Sequence, residues 1–416
     1  MLRNKTSETI EKTVREEWSQ TLSALVYRIH DFQLAEDALQ DAILSAWNSW
    51  PYSGIPKNPR AWLLQVAKRK AIDQIRRKES FAKKQSSIAL LSELEQEQGE
   101  HRTDMEIPDE RLRMIFTCCH PAIDKRSSVA LTLRTVAGLE TREIAKAFLT
   151  EESAMGQRLT RVKRKIRDAG IPYRVPPPHL WQERLEAVLS VLYFIFNEGY
   201  LASSGDGLLR SNLCLEAIRL ARVLSKLSPD EPEVDGLLAL MLLHDSRRPA
   251  RTNKAGAMIS LEDQDRSLWI RENIEEGDTI LRRILPKRRI GPYQIQAAVS
   301  AVHAHAPDWK STDWPQIAQL YRTLYQYSPS SVVRLNEAVA ISMIQGPQAG
   351  LKLLQELEEQ GTLEKYQPFY AAKADLLRQL NRYDEAERAY EIAISKSANP
   401  AEKDILRKRL QHLKKN

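Results

Sequence analysis

The chain has 416 residues, is 42% hydrophobic and has a mean hydropathy of −0.46, so it can bury several cores, and its composition excludes a membrane-embedded protein. Its 62 basic and 55 acidic residues leave a net charge of only +7, so the mean charge does not identify a partner. Three cysteines argue against a disulfide framework and no export signal is visible, so a cytoplasmic location is expected.

Apolar residues recur three and four positions apart along almost the whole chain, which predicts an all-α protein. Residues 14–77 are expected to form three helices. The second of these, at 34–50, places Leu39, Ile43, Ala46 and Trp50 on its buried stripe. The opposite face carries Asp37 and Asp41, with Gln40 at its edge.

The third helix is expected to begin at Asn58, an N-cap residue followed by a proline. Its predicted apolar stripe comprises Ala61, Leu64, Ala71, Ile72 and Ile75. Its other face mixes apolar side chains with charges: Trp62, Val66, Arg69, Lys70, Asp73, Arg76 and Arg77. Outward tryptophan and valine side chains gain nothing from contact with water. This face is therefore better suited to binding unpaired bases and phosphates than to being a solvated surface alone.

A polar, Gln- and Glu-rich stretch at 79–109 predicts a flexible linker and a domain boundary. After it, ETREIAKAF and SAMGQRLTRVKRKI are expected to be two helices joined by a few residues. The second has the buried stripe Met155, Leu159, Val162 and Ile166. Its polar residues are Ser153, Gln157, Arg158, Arg161, Arg164 and Lys165. This pattern is typical of a helix-turn-helix, and an ordinary helical hairpin with a basic surface is the alternative.

Two neighbouring cysteines and a histidine stand in the segment TCCHP at 117–121. Successive helical residues are about 100° apart, so Cys118, Cys119 and His120 cannot converge on one tetrahedral ion. We therefore expect both thiols to pack as small apolar groups, with His120 and Pro121 breaking the chain before the next helix.

The chain from about residue 176 onward is predicted to be helical throughout. NEGYLASSGDG at 197–207 matches no phosphate-binding spacing, so we expect a helix end and a connecting turn rather than a ligand loop. HDSRRPARTNK at 244–254 is expected to be a solvated interhelical loop. His303 and His305 are two positions apart and lack a spaced acidic or thiol partner, so no metal site, cofactor or catalytic residue is predicted.

The C-terminal residues carry a repeat. Small and large apolar residues occupy the positions of a tetratricopeptide repeat at Tyr370, Ala374, Leu377, Ala386, Tyr390 and Ala393. A weaker copy precedes it at Ala338, Ile341, Gly350, Leu354 and Leu357. We therefore expect a helical solenoid, a form that usually presents a concave surface to a protein or peptide.

Three motifs together carry a family resemblance: LAEDALQDAILSAW at 34–47, NPRAWLLQVAKRKAIDQIRRK at 58–78, and REIAKAF with SAMGQRLTRVKRKIRDAG within 142–170. On these motifs the N-terminal part resembles regions 2 and 4 of an extracytoplasmic-function (ECF) RNA polymerase sigma factor. The remainder resembles the tetratricopeptide-like extension of one ECF subgroup. The resemblance implies region 2 at 1–78, the linker at 79–109, region 4 at 110–175, a family-specific helical domain at 176–290 and helical repeats at 291–416.

The resemblance also implies partners: core RNA polymerase and promoter DNA in a bacterial cell. Asp37, Gln40 and Asp41 would dock on the polymerase. The loop at 51–57 and the helix after it would capture the melted −10 element through Asn58, Arg60, Trp62, Arg69, Lys70, Asp73, Arg76 and Arg77. The −35 element would be read by Ser153, Gln157, Arg158, Arg161, Arg164 and Lys165.

One departure from the family concerns the turn before the recognition helix. The family has a glycine and then a serine cap there, whereas this chain has Leu149, Thr150 and Glu151, which makes Thr150 the expected cap. For the C-terminal half, a fused regulator that contacts the sigma half or the polymerase competes with a ligand-sensing domain. For the whole chain, the alternative is a helix-turn-helix regulator with a protein-binding solenoid.

Overall fold

A computed structural model describes residues 17–18, 21–79, 107–136, 138–148, 150–200, 211–229, 231–253, 257–397 and 400–414. Every regular element in these ranges is a helix, which confirms the predicted all-α class. Within the same ranges, no helix combines the length and apolarity needed to cross a membrane. The chain divides into two compact units, 1–195 and 196–416.

The first unit is built from short and medium helices. They are α1 (21–29), α2 (Phe32–Ser53), α3 (Pro59–Glu79), α4 (Ile107–Cys118), α5 (Lys125–Thr135), α6 (Thr141–Ala147), α7 (Glu152–Asp168) and the start of α8 (Trp181–Tyr200). The linker predicted at 79–109 lies almost wholly outside the described residues. Its last three positions are helical, because α4 begins at Ile107 rather than at residue 110.

Local side-chain caps set the ends of the helices in this unit. Asp31 begins α2 by accepting hydrogen bonds from the backbone N–H groups of Gln33 and Leu34, at 2.9 and 3.0 Å. Gly54 ends the helix with φ of +83°, a conformation that glycine adopts without strain. Asn58 begins α3 by accepting from the N–H of Ala61 at 3.0 Å, so the predicted start of that helix is confirmed.

Two details of the predicted elements were wrong. The buried stripe of α3 is Leu63, Ala67, Ala71, Ile72 and Ile75, whereas Ala61 is exposed and Leu64 only half-buried. In the first two turns the buried residues thus stand one position earlier than expected, at Leu63 and Ala67. The N-cap of α7 is Glu151 rather than Thr150, and no side chain closes that cap.

The second unit continues as successive helices. They are α9 (Ser211–Leu227), α10 (Pro232–Ser246), α11 (Arg271–Ile284), α12 (Pro292–His305), α13 (Trp314–Tyr327), α14 (Ser331–Gln345), α15 (Pro347–Glu359), α16 (Gln367–Gln379), α17 (Tyr383–Lys396) and α18 (Pro400–Leu413). Neighbouring helices pack in chain order from α10 to α18. The larger core joins α14 to α18.

The residues singled out by the repeat pattern lie at helix contacts. Ala374, Leu377, Ala386, Tyr390 and Ala393 are buried in one apolar cluster. Gly350 lets α15 approach α14, since a Cβ atom there would stand 2.9 Å from the carbonyl oxygen of Ala338. Of the predicted positions in the second copy, five are therefore buried as expected, whereas Tyr370 is only half-buried.

Candidate functional site

The outer face of α2 combines carboxylates with an exposed apolar side chain. Asp37 accepts a hydrogen bond from the amide of Gln33 at 2.8 Å, and Asp41 from the amide of Gln74 on α3 at 3.3 Å. Gln40 is exposed, and Leu44 has 60% of its surface in solvent. Both carboxylates are bound by neutral amides rather than by cations, so the negative charge of this face is available to a basic partner.

The last turn of α2 and the loop after it expose large side chains that sequence reasoning had not singled out. Tyr52 is 80% exposed and Ile55 is 40% exposed. The loop predicted at 51–57 was wrong at its first three positions, because α2 continues through Pro51 to Ser53. An aromatic residue beside a proline was the available signal. Trp62 contacts Trp50 edge-on, with ring centroids 5.3 Å apart, so it is half-buried rather than outward as expected. Tyr52 is therefore more exposed than the other outward aromatic of α2, Trp47, which is 40% exposed.

The polar side of α3 follows the prediction in part. Arg69, Asp73 and Arg76 are exposed, whereas Lys70 is half-buried. Asn58 serves as the helix cap and is exposed as well. The guanidinium of Arg60 lies 3.9 Å from the carboxylate of Glu17. The side chain of Arg77 lies outside the described residues.

Helix α7 buries its apolar stripe and exposes most of its polar face. Met155, Leu159, Val162 and Ile166 are buried, as predicted. Four of the six singled-out polar residues are exposed on the helix: Ser153, Gln157, Arg161 and Arg164. Arg158 is half-buried, and its charge helps to lower the pKa of Asp124, together with bonds from Ser127. Lys165 is exposed but donates to the carbonyl of Ala122.

Sequence reasoning missed a buried ion cluster that joins α2 to α5 and α7. Glu36 is 5% exposed, accepts from Arg134 Nε at 2.9 Å and also pairs with Lys163. Burial alone would raise the pKa of Glu36, but the charges and hydrogen bonds of Lys163 and Arg134 outweigh it and hold that pKa below its ordinary value. The carboxylate therefore stays ionised and binds both cations.

Aromatic contacts extend the same junction. The guanidinium of Arg134 lies 5.2 Å from the ring centroid of Trp18, and that of Arg113 lies 4.5 Å from Tyr27. Phe32 at the start of α2 packs against Tyr173 with centroids 5.2 Å apart. The polar faces of α2 and α7 are thus held in one compact unit, with Asp37 and Arg161 both left accessible to solvent.

The two cysteines of the TCCHP segment are buried, as predicted. Cys118 Sγ contacts Thr135 Oγ1 at 3.4 Å, and burial raises the pKa of Cys118 to about 12. Burial also raises the pKa of Cys119, and the neighbouring Cys118 adds to the effect. Among the described residues, no group of three histidine, cysteine or acidic side chains is placed to hold a metal ion.

We expect the native thiols to resist alkylation. At pH 8 a thiol whose pKa is raised by several units has almost no thiolate, and thiolate is the reactive form. Cys118, Cys119 and Cys214 are all buried. Iodoacetamide followed by intact-mass measurement should add no label within a time that fully labels the chain in guanidinium. Rapid labelling of Cys118 or Cys119 in the folded protein would contradict their burial.

Comparison with known proteins identifies part of the chain. Residues 16–81 match the model of Sigma-70 region 2, and residues 184–285 match a family of unknown function, DUF6596. The "Uncharacterized protein R00370" of Rhizobium meliloti (strain 1021) is 42% identical over 396 residues, which cover 95% of this chain and 93% of that protein. This chain belongs to the same family as the rhizobial protein. No solved structure matches it.

The match to Sigma-70 region 2 connects the outer face of α2 to a known family. It covers α1, α2 and α3, and so includes the acidic face of α2 and the exposed turn at Tyr52. Region 2 supports a sigma-factor role in transcription initiation and implies binding of core RNA polymerase and promoter DNA. Helices α6 and α7 lie outside both matched ranges, and α8 to α11 fall largely within the family of unknown function.

Proposed function

We propose that the protein is an ECF-type sigma factor with a fused regulatory C-terminal half. In this proposal the face of α2 that carries Asp37, Gln40 and Asp41 docks on core polymerase. The turn at Tyr52 and the exposed side of α3 capture the melted −10 element, and α7 reads the −35 element in the major groove. The observation that carries the proposal is a sigma-70 region 2 match followed, in the same compact unit, by a helix with an exposed Gln-Arg-Arg face.

The chemistry of α7 supports contact with DNA. Arg161 and Arg164 are exposed and have no carboxylate partner among the described residues, so each guanidinium is available to a base edge or a phosphate. Gln157 stands one turn before Arg161 and can bond an adenine edge.

The ion cluster at Glu36 limits how this unit can engage a promoter. The two promoter elements are separated along the duplex, whereas Glu36 and Lys163 join region 2 directly to α7. Simultaneous contact with both elements therefore requires α7 to leave α2. We infer that the closed unit binds promoters poorly by itself, and that polymerase contact supplies the free energy for opening.

The C-terminal half is proposed as the regulatory part. Its helices pack in sequence from α10 to α18, and small residues such as Gly350 and Ala374 stand at the helix contacts, as in tetratricopeptide-like repeats. Such an array offers a long surface to a protein or a ligand. The amount of promoter-dependent transcript, measured with and without a protein or ligand bound to that surface, tells whether the C-terminal half restrains or assists initiation.

The docking face provides the direct test. Changing Asp37 and Asp41 to lysine replaces two negative charges by two positive ones, so we expect affinity for core RNA polymerase to fall at least tenfold. The matched control is Glu186→Lys with Glu262→Lys, which makes the same change of charge at exposed positions elsewhere. Co-elution with core polymerase measures binding. Equal co-elution of both double variants would overturn the docking assignment, and tight promoter binding without polymerase would favour an ordinary DNA-binding regulator.

A further inference from the structure

The segment between α10 and α11 carries buried cations where the sequence predicted a solvated loop. That prediction was wrong, because the arginines of HDSRRPAR fold inward onto aromatic rings and helix ends. Arg251 is 6% exposed, stacks 3.5 Å from the ring centroid of Tyr200 and donates to the carbonyl of the same residue. Arg266 donates to the carbonyls of His303 and Ala306, both at 2.7 Å.

Few negative charges act on these cations, and the nearby carboxylates are Asp308, whose charge acts on Arg266, and Asp245. Arg247 donates only to the amide oxygen of Gln264, at 3.3 Å, and no ion pair to a carboxylate is found for Arg247, Arg251 or Arg266 in the described part of the chain. Asp245, on the adjacent helix end, pairs with Arg248 at 3.7 Å and accepts from Asn273 at 3.1 Å. The local excess of positive charge is therefore not balanced by the protein around it.

Unsatisfied polar atoms surround the same arginines. Four buried side-chain nitrogens have no hydrogen-bond partner, and they are His244 Nδ1, Trp269 Nε1, His303 Nδ1 and Trp314 Nε1. One carboxylate oxygen, Asp245 Oδ1, is also buried there without a partner. Leaving such a group unpaired costs about 1–3 kcal/mol in a folded protein, so four in one place call for an explanation.

Ring contacts tie these nitrogens to the arginines. The guanidiniums of Arg247 and Arg266 lie 5.6 and 5.3 Å from the ring centroid of Trp269. The imidazole of His303 lies 5.4 Å from Trp314, and the imidazole of His244 lies 5.3 Å from Tyr200.

Both imidazoles are neutral at physiological pH. Burial, with the charges of Arg247 and Arg251, lowers the pKa of His244 to about 3. Burial, with the charges of Arg247 and Arg266, lowers the pKa of His303 to about 4. A neutral imidazole can donate from Nδ1, as both indole nitrogens do, so these four nitrogens can all act as donors, whereas Asp245 Oδ1 can only accept. Donors set among guanidiniums suit an acceptor with negative charge and repel a metal cation.

We propose that Arg247, Arg251 and Arg266, with Trp269, His244 and His303, form a binding site for a small oxyanion of the phosphate or phosphoester class. A phosphate group carries several acceptor oxygens and up to two negative charges, and guanidiniums bind it through paired, charge-assisted hydrogen bonds. A singly charged carboxylate would leave both donors and positive charge unmatched. This site is independent of the proposed sigma-factor role.

A wide groove borders the proposed site. It encloses about 1130 Å³ and is lined on one side by residues 257–263 and Trp309, and on the other by residues of α14, α16 and α18. None of the six residues of the proposed site lines the groove itself, but Trp309, which does, lies parallel to His303 with ring centroids 6.0 Å apart and connects the two. The groove gives the organic part of a phosphoester a place to lie beside its phosphate.

Titration of the full chain tests the site. Inorganic phosphate and glycerol phosphate are added separately, with sodium chloride and sodium acetate at matched ionic strength, and binding is followed by calorimetry and tryptophan fluorescence. We expect saturable binding of phosphate that chloride and acetate do not reproduce. Tighter binding of glycerol phosphate than of phosphate identifies a phosphoester as the ligand, and the reverse order identifies free phosphate. Equal responses to all four salts would overturn the proposal.

Substitutions locate the binding. Arg247→Gln removes a half-buried guanidinium and should weaken phosphate binding about tenfold or more. Trp269→Phe removes only the indole donor and should weaken it less. Arg222→Gln is the matched control, because Arg222 is an exposed arginine of the same unit that pairs with Glu276 at 2.6 Å. Should Arg247→Gln fail to fold, Trp269→Phe decides the question, and unchanged affinity in that variant would reject the site.

Discussion

Replacing Glu36 by alanine is expected to destabilise the first unit by about 3–5 kcal/mol, the usual cost of removing one partner from a buried ion pair. The change leaves Arg134 and Lys163 facing each other, with side chains only 15% and 10% exposed and no carboxylate between them. Calorimetry of the full chain would record the loss as a lower unfolding temperature for this unit. Hydrogen exchange would localise it to α5 and α7.

The matched control for this experiment is Glu186→Gln. Glu186 is an exposed acid on α8, so its neutralisation should change stability by less than about 0.5 kcal/mol. Glu36→Gln keeps the shape of the side chain and removes only the charge. If Glu36→Gln and Glu186→Gln had the same unfolding temperature, the ion cluster would contribute nothing to the junction.

The pH dependence of the wild-type protein follows from the same carboxyl. The folded-state pKa of Glu36 is depressed, so its stabilising contribution is present above its unfolded pKa and is lost as the pH falls through the folded value. Glu36→Gln should flatten the stability profile over that acid range. A profile that keeps its full acid slope in this variant would assign the titration to other groups.

The ion cluster at Glu36 also affects how DNA would separate α7 from α2 in the proposed function. Lys163 is one residue before Arg164, and its amine is held by Glu36 on α2. When α7 moves away, that amine is released and can bind a phosphate, which offsets part of the free energy of breaking the ion pair. In the proposed function, promoter contact and the closed junction therefore compete for one lysine.

Local sequence patterns predicted the elements well because the responsible interactions are short in range. The stripe of α7 and the cap at Asn58 depend on neighbours within one or two helical turns. The partners of Glu36 lie 98 and 127 positions away, so no window along the chain could have distinguished it from the solvated acids beside it. The motifs that resemble region 2 likewise predicted the acidic face of α2. They could not predict the contact between α2 and α7.

The errors have a common physical origin in tertiary packing. Trp62 packs edge-on against Trp50 and is half-buried, although helical periodicity alone placed it on the outward face of α3. The arginines of HDSRRPAR carry the composition of a solvated loop, yet rings such as Tyr200 and helix-terminal carbonyls draw them into the interior. Composition predicts exposure only where no such partners are in reach.

Replacing Arg161 by alanine is expected to reduce transcription from a promoter with an intact −35 element by about tenfold, because one bidentate contact with a base is worth about 1–3 kcal/mol of discrimination. Arg161 is exposed and takes no part in the buried stripe of α7, so the variant should fold as the wild type does. The measurement is promoter-dependent transcription with reconstituted polymerase.

Two comparisons separate base contact from general charge. Arg174→Ala removes an exposed arginine of the same unit outside α7 and should leave transcription nearly unchanged. On a promoter whose −35 element is scrambled, wild type and Arg161→Ala should become equal, since the contact that the arginine makes is then already lost. A constant ratio between them on both promoters would mean that Arg161 binds phosphate rather than a base. Full activity of Arg161→Ala on the intact promoter would remove α7 from promoter recognition and leave region 2 as the DNA-binding part.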